Sequence, residues 1–441
     1  MVVARLAALL SFFCIPLWTR LTFVPLGFAP YYVVRFVIVL PMLTTIFCWL
    51  VAGAPGLFAQ RRTTTRSLWA LSLLTVALWT FASLSWAFIR ERAPDIGETA
   101  ALKFGIVALF ATAVAHLEIA PRRAIYVLAI SLAFNAVIAV TQSLHQGWIG
   151  LEFLREFVVE RGMSGISVIR AGDLQFVRPY GLMPHPNMLA GTLVVGTLAA
   201  SMLIVHERRW IRYTAAGLIS FSVLAILLTF SRAAWGGFAV GVIIVFPFVA
   251  RRALNERTMR VPIIAAVVFI VLIGVGFLIQ YRPFLAARTG QVQESLEMRS
   301  VADRLVYIDF ALRSIQERPI LGVGAGNFPW RMSYYLVDTF YDLRGDNVHN
   351  IYLAALAELG IIGFGLYAMA LTAGLVSIIG AIRRANIPER APLMGLFAAL
   401  IALLVIGLLD HYPYTIIQFQ TALWGLMGVG VGATRQIAPK T

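Results

Sequence analysis

Lysine is almost missing from this chain. Lys103 and Lys440 are the only two among 36 basic residues, so the formal charge of +15 rests on arginine. Acidic residues number 21, and charged side chains of both signs reach only 13% against 60% hydrophobic. A soluble globular domain, with about a quarter of its residues charged, is excluded by that balance. Cysteine is equally scarce: Cys14 and Cys48 both lie in apolar runs and offer neither a disulfide framework nor a cysteine metal site. No His, Cys, Asp or Glu group is spaced in sequence as metal ligands are, and no Gly-x-Ser-x-Gly elbow occurs, so neither a resident metal nor a cofactor is expected. There is no internal repeat, no low-complexity tract and no second, soluble domain.

What the chain does have is apolar runs of about 20 residues, each long enough to cross a ~30 Å hydrocarbon core as helix. The runs are continuous and do not alternate with period two, which excludes an outer-membrane barrel. The expected fold is an all-α polytopic membrane protein, a bundle of about twelve transmembrane helices with an extramembrane cap. The spans are expected at Ala4–Trp18, Val33–Ala52, Leu68–Ile89, Ala101–Leu117, Ala124–Leu144, Met188–Val205, Tyr213–Phe230, Ala233–Val249, Val261–Ile279, Ile351–Ile382, Pro392–Leu409 and Ile416–Gly432. The first is read as a retained helix, because no convincing small-residue cleavage site follows it.

Orientation follows from the short loops. With the N-terminus inside, every cytoplasmic connection is basic: Arg61 to Arg66, Arg122-Arg123, Arg208 to Arg212, Arg251 to Arg260, Arg383 to Arg390, and the tail with Arg435. Both termini are then cytoplasmic. The chain divides into helices 1–5 (1–145), an outer loop (146–186), helices 6–9 (187–279), a large outer loop (280–350) and helices 10–12 with a short tail (351–441). In the first outer loop, Arg170-Ala171-Gly172-Asp173 predicts the turn of a short hairpin within Ile166 to Val177. In the second, Val301, Leu305, Ile308, Leu312 and Ile315 recur at helical spacing, predicting an amphipathic helix on the membrane face or the bundle.

Positive-inside anchoring accounts for roughly half of the arginines, and the others lie on the outer side. A planar guanidinium fork suits phosphate better than an ammonium does. Arg178 precedes the sixth span in an irregular, proline-rich stretch running to His185-Pro186-Asn187, where His185 reads as structural. Arg232 sits between two apolar spans with almost no loop around it, so it needs an anion or a hydrogen-bonded partner. Arg304 leads towards Pro319-Ile320-Leu321-Gly322-Val323-Gly324-Ala325-Gly326, whose glycines could present amides to a phosphate or form a plain turn. His349-Asn350 opens the tenth span, which carries Glu358, Gly360 and Gly363. An imidazole at a helix N-terminus among arginines is biased towards the neutral form and can take a proton near pH 7. The competing reading makes Asn347 or Asn350 a helix cap. Acidic residues within spans are nearly limited to Glu358, with Asp410 at an edge, fewer than a proton- or sodium-coupled transporter usually carries.

Together these stretches resemble the O-antigen ligase superfamily of integral-membrane glycosyltransferases. The likeness lies in Arg178-x-x-Gly181 with His185-Pro186-Asn187, Ser231-Arg232 opening a span, Arg304 with the Pro319 to Gly324 stretch, and His349-Asn350 followed after nine residues by Gly360-x-x-Gly363. It covers roughly residues 178 to 365. The resemblance implies a bacterial inner-membrane enzyme that takes a glycan from an undecaprenyl diphosphate carrier at a periplasmic site. Its surroundings would be membrane lipids, with no nucleic-acid partner. The complete His-Asn to Gly-x-x-Gly pattern favours an O-antigen ligase with lipid A-core oligosaccharide as acceptor. An O-antigen polymerase and an O-linked protein oligosaccharyltransferase are the related alternatives, and a lipid-linked glycan transporter is the alternative of another class. In the implied scheme Arg178 and Arg232, with Arg304, hold the diphosphate in place of a metal. His349 deprotonates the acceptor hydroxyl, Asn350 or Glu358 orients the groups around it, and direct attack inverts the anomeric centre.

Overall fold

A computed structural model describes residues 1–19, 37–55, 65–88, 94–288, 295–336 and 347–435, and over these the protein is all-α apart from one hairpin. The helices are α1 Val2–Phe13, α2 Val39–Val51, α3 Thr65–Ala82, α4 Pro94–Leu117, α5 Pro121–His145, α6 Pro186–Ser201, α7 Arg209–Leu228, α8 Arg232–Asn255 and α9 Arg257–Gln280. They continue with α10 Arg282–Arg288, α11 Ser295–Glu317, α12 Phe328–Tyr335, α13 Ile351–Arg384, α14 Ile387–Ile406, α15 Tyr412–Thr415, α16 Ile417–Gln420 and α17 Leu426–Gly432. Among the described residues nine helices are long and apolar enough to span a bilayer, and they coincide with nine of the twelve expected spans. The other three differ. The first is the short α1; the second is α2, with part of its expected range outside the described residues. The twelfth is α16 and α17 joined by a π turn at Thr421–Gly425, buried along its whole length in the centre of the bundle.

The outward surface of α8 and α9 is a continuous apolar belt. Ile243, Phe246, Ile264, Phe269, Leu272 and Ile279 all expose more than half of their area, as side chains facing lipid should. Polar groups gather inside the bundle or at its ends. The basic connections are paired where they carry acids: Glu118 bridges Arg66 and Arg435, and Glu207 bridges Arg122.

The expected hairpin is present. Strands β1 (Val168–Ala171) and β2 (Leu174–Val177) pair antiparallel, Val168 opposite Val177 and Ala171 opposite Leu174, around a turn with Gly172 at φ +60. Its inner residues Ile169 and Phe176 join Phe230, Phe277, Tyr281 and Phe284 in an aromatic cluster that fixes the turn between α7 and α8. The irregular run after β2 is held by two buried acceptors. Gln142 Oε1 accepts from the Tyr180 and Gly181 amides, and Glu156, bonded to Gln142, accepts from the Ile149 and Leu151 amides.

Helix α13 is two helices in sequence. Gly360 adopts φ +65, ψ −176, which interrupts the hydrogen-bond ladder inside the helix. The glycine stretch after α11 fills the break: the Val323 and Gly324 amides donate to Ala357 and Glu358 carbonyls at 2.9 Å, and the Ile361 amide donates to Pro319. Trp79 Nε1 caps the Leu359 carbonyl at 3.0 Å. A Cβ on Gly322 or Gly360 would stand 2.4 or 2.2 Å from the opposing backbone, so both positions require glycine. The stretch is therefore a docking turn, and the phosphate-cradle alternative does not apply, because its Val323 and Gly324 amides already serve α13.

Helix α11 is amphipathic, as expected, with part of the expected stripe inside: Tyr307, Phe310, Ala311 and Ser314 are buried and Ile308 and Ile315 pack half-buried against the core, whereas Leu305 and Leu312 are exposed. The aromatic Tyr307 and Phe310 give the bundle more contact area than the leucines, so packing selects that face. Val301 lies among residues whose side chains are not described.

Candidate active site

Asn350 is the N-cap of α13. Its Oδ1 accepts from the Tyr352 and Leu353 amides, both at 3.0 Å, and its Nδ2 donates to the Leu408 carbonyl at 3.2 Å. The Ile351 amide adds a bond to Gly407 O at 2.8 Å. These bonds tie the head of α13 to the end of α14, where the chain turns through Asp410-His411. His349 is thereby delivered against His411, the rings 5.2 Å apart at 83°, with the Tyr307 ring 5.6 Å away. Ligand-capable atoms of His349, Asp410 and His411 all lie within 4.8 Å of one another.

Arg178 reaches the same cluster through one residue. It is 4% exposed, and its guanidinium donates to Thr229 O (2.5 Å), Ser167 Oγ (2.7 Å) and Asn187 Oδ1 (2.6 Å). Asn187 Nδ2 in turn donates to Asp410 Oδ2 at 3.1 Å. His185 caps α6 by accepting the Asn187 amide, the structural role its proline neighbours suggest. Thr229 belongs to the turn ahead of α8, so Arg178 and Arg232 meet there. Arg232, the first residue of α8, is exposed and donates to Arg288 O at 2.9 Å, while Arg288 donates to Phe230 O at 3.1 Å. Phe230 holds φ +52, a left-handed conformation costly for an aromatic residue, locked here by its ring cluster. Three guanidinium groups thus converge on one turn. Arg304 lies one helical turn before Tyr307 in α11, half-buried and with no hydrogen bond or ion pair among the described residues.

Glu358 does not stand beside His349 as the sequence suggests. Nine residues along the helix, at 1.5 Å per residue, place it about 13 Å deeper. There it is 2% exposed and accepts from the Tyr414 hydroxyl at 3.1 Å. Burial and the adjacent carboxylate push the Tyr414 phenol far above its ordinary range, so it remains a donor. Asn350, with both ends of its amide engaged, positions the loop that carries His349.

Sequence reasoning missed Asp410, His411 and Arg288 as site members. Asp410-His411 lies some sixty residues from His349, so no linear spacing could reveal the group, and Arg288 looks like an ordinary helix-end cation. The same group is chemically able to hold a cation, although Asp410 already accepts with both oxygens, from Asn187 and from the His411 amide, and His411 Nδ1 is paired with Thr415 Oγ1 at 2.7 Å. The donors that surround it favour an imidazole pair oriented by a carboxylate.

Residues 217–368 match the sequence profile of a family described as O-antigen ligase. That range contains Arg232, Arg304, His349 and Gly360. No curated protein matches the chain. Among solved structures, a chain from work titled "Structural coordination of polymerization and crosslinking by a peptidoglycan synthase complex" aligns over 83% of this chain and 97% of its own, at 16% identity and TM-score 0.39.

Proposed function

We propose that this chain, whose residues 217–368 match the O-antigen ligase profile, transfers a glycan from undecaprenyl diphosphate to the lipid A-core oligosaccharide at the periplasmic face of the bacterial inner membrane. One observation carries the reading: a continuous path from a buried arginine to an imidazole pair, Arg178 to Asn187 to Asp410, with His349 and His411 against that carboxylate. A cationic turn beside a proton acceptor is what cleavage of a glycosyl diphosphate requires. Charge grows on the leaving diphosphate as the anomeric C–O bond breaks, and fixed guanidinium donors stabilise it in place of a divalent ion. Arg232 and Arg288 offer their outer surfaces to the diphosphate, Arg178 holds the turn that presents them, and Arg304, one helical turn before Tyr307 on α11, is the further guanidinium assigned to it.

His349 takes the proton from the acceptor hydroxyl as that oxygen bonds to the anomeric carbon, and the electron pair of the broken bond leaves on the diphosphate. Asp410 stabilises the imidazolium that results. Attack opposite the leaving group inverts the anomeric centre. A polymerase or a protein oligosaccharyltransferase would use the same machinery with another acceptor. A transporter would need a sealed bilayer to show activity.

The test is transfer by purified protein in detergent, with lipid-linked glycan and lipid A-core supplied. Product without a bilayer is expected, together with complete loss in His349→Ala at normal recovery of the protein. Ligation retained by His349→Ala would remove the base from the scheme. Product that appears only in vesicles would favour the transporter.

A further inference from the structure

A second polar site lies inside the bundle, next to the imidazole pair. It is a cavity of about 430 Å³ between α3, α4, α13 and α15, within the range of small-ligand pockets. Lys103, Glu358, Tyr367, Thr415 and Gln420 line it, and Asn347 stands at its edge two residues before His349. The link to the catalytic cluster is direct: Thr415 Oγ1 pairs with His411 Nδ1 at 2.7 Å, and the Thr415 carbonyl accepts from Lys103 Nζ at 2.5 Å.

The wall of this cavity is incompletely satisfied. Tyr367 Oη and Gln420 Oε1 are buried and form no hydrogen bond, on residues 1% and 3% exposed. Buried polar atoms are normally paired, so two open ones on a single cavity mark missing partners. The polar lining is mixed: an amide acceptor, a hydroxyl that can donate or accept, the Glu358 carboxylate and the remaining ammonium hydrogens of Lys103. A group of vicinal hydroxyls, each both donor and acceptor, complements that set, and the Phe104 and Tyr367 rings supply an apolar wall.

We infer that this cavity is a saccharide subsite that seats the acceptor sugar. The assignment to the acceptor rests on the proposed glycosyl transfer. The cavity meets the imidazole pair through Thr415 and through Asn347, two residues before His349, and the acceptor is the substrate whose hydroxyl must reach that base.

Tyr367→Phe is the informative variant, because it removes a hydroxyl that bonds to nothing in the protein and leaves the packing of the ring in place. The full chain in lipid nanodiscs is titrated with free glucose, galactose and N-acetylglucosamine at millimolar concentrations and read by saturation-transfer NMR. The wild type is expected to bind at least one of them. Tyr367→Phe should bind it about three- to tenfold more weakly, the effect of one hydrogen bond, and raise KM for the lipid A-core acceptor by a similar factor. Binding should persist in the presence of undecaprenyl diphosphate lacking sugar, which occupies the arginine turn. No saccharide signal, or one that Tyr367→Phe leaves unchanged, overturns the subsite, as does a density map showing only water there under saturating sugar. Saccharide binding sensitive to Tyr367→Phe in a protein that never turns over donor supports the subsite and overturns the transfer reading.

Discussion

Replacing Arg178 by Ala would remove donors from Thr229 O, Ser167 Oγ and Asn187 Oδ1 at once, and the vacated space is buried. Each stranded acceptor costs about 1–3 kcal/mol, so the variant should lose thermal stability as well as activity. Arg232 is exposed at the same turn and donates to the Arg288 carbonyl, so its guanidinium is presented at the surface and not enclosed as that of Arg178 is. Arg232→Lys keeps the charge but not the fork; it should unfold at the wild-type temperature while transfer falls about 10- to 100-fold. Undiminished transfer in Arg232→Lys would remove bidentate diphosphate binding from the scheme. Sequence alone treats the two arginines alike, since each borders an apolar span; only the contacts distinguish one that holds the turn from one that is displayed on it. The imidazole cluster makes its own prediction. The proposed scheme stabilises the leaving diphosphate with guanidinium groups and assigns no ion to this group, so transfer measured in EDTA should equal the untreated rate. Activity lost in EDTA and restored by Mg²⁺ or Mn²⁺ would contradict the metal-free scheme.

The kink in α13 shows how an element, and no single side chain, builds the site. Its first piece, Ile351 to Leu359, carries His349 at its head and Glu358 near its foot, and its position is set by backbone docking at Gly360. Gly360→Ala puts a methyl 2.2 Å from Ile320 O at a positive φ and should destabilise the protein by at least about 2 kcal/mol. Gly365→Ala, five residues on in the same helix with nothing within 4 Å, is the control and should be neutral or slightly stabilising. Thermal unfolding in detergent separates the two; equal stability would mean the docking turn is not what places the half-helix. The motif His349-Asn350 to Gly360-x-x-Gly363 was legible in the sequence because its parts are local, a cap and two glycines at fixed offsets. Gly363 is explained by Trp79, whose indole would lie 2.5 Å from an added Cβ. The reason for the glycines was hidden, since Gly360 depends on a loop forty residues earlier and Gly363 on a tryptophan of α3. The face of α11 was legible only in part: Ile308 and Ile315 pack inward as their spacing suggests, but periodicity fits Leu305 and Leu312 as well as Tyr307 and Phe310, and tertiary packing decides between them.

At the scale of the whole molecule, the scheme needs the His349 cluster, the hairpin loop and the arginine turn on one side of the membrane, with the basic connections on the other. The lipid-facing belt of α8 and α9 shows that these helices cross, but an apolar belt has no direction; direction comes from the arginine-rich short loops alone. Single cysteines in a background lacking Cys14 and Cys48 measure it. Met163, 45% exposed in the loop before the hairpin, should as cysteine react with a membrane-impermeant maleimide in intact spheroplasts. Leu254, 72% exposed at the end of α8, should as cysteine react only after permeabilisation. The reverse pattern would put the imidazole pair in the cytosol, where a lipid A-core acceptor already exported could not reach it. Labelling of both sites in intact cells would break the alternation of spans between them, because α5, the hairpin loop and α6 to α8 are fixed to one another through Arg178, Asn187 and the aromatic cluster.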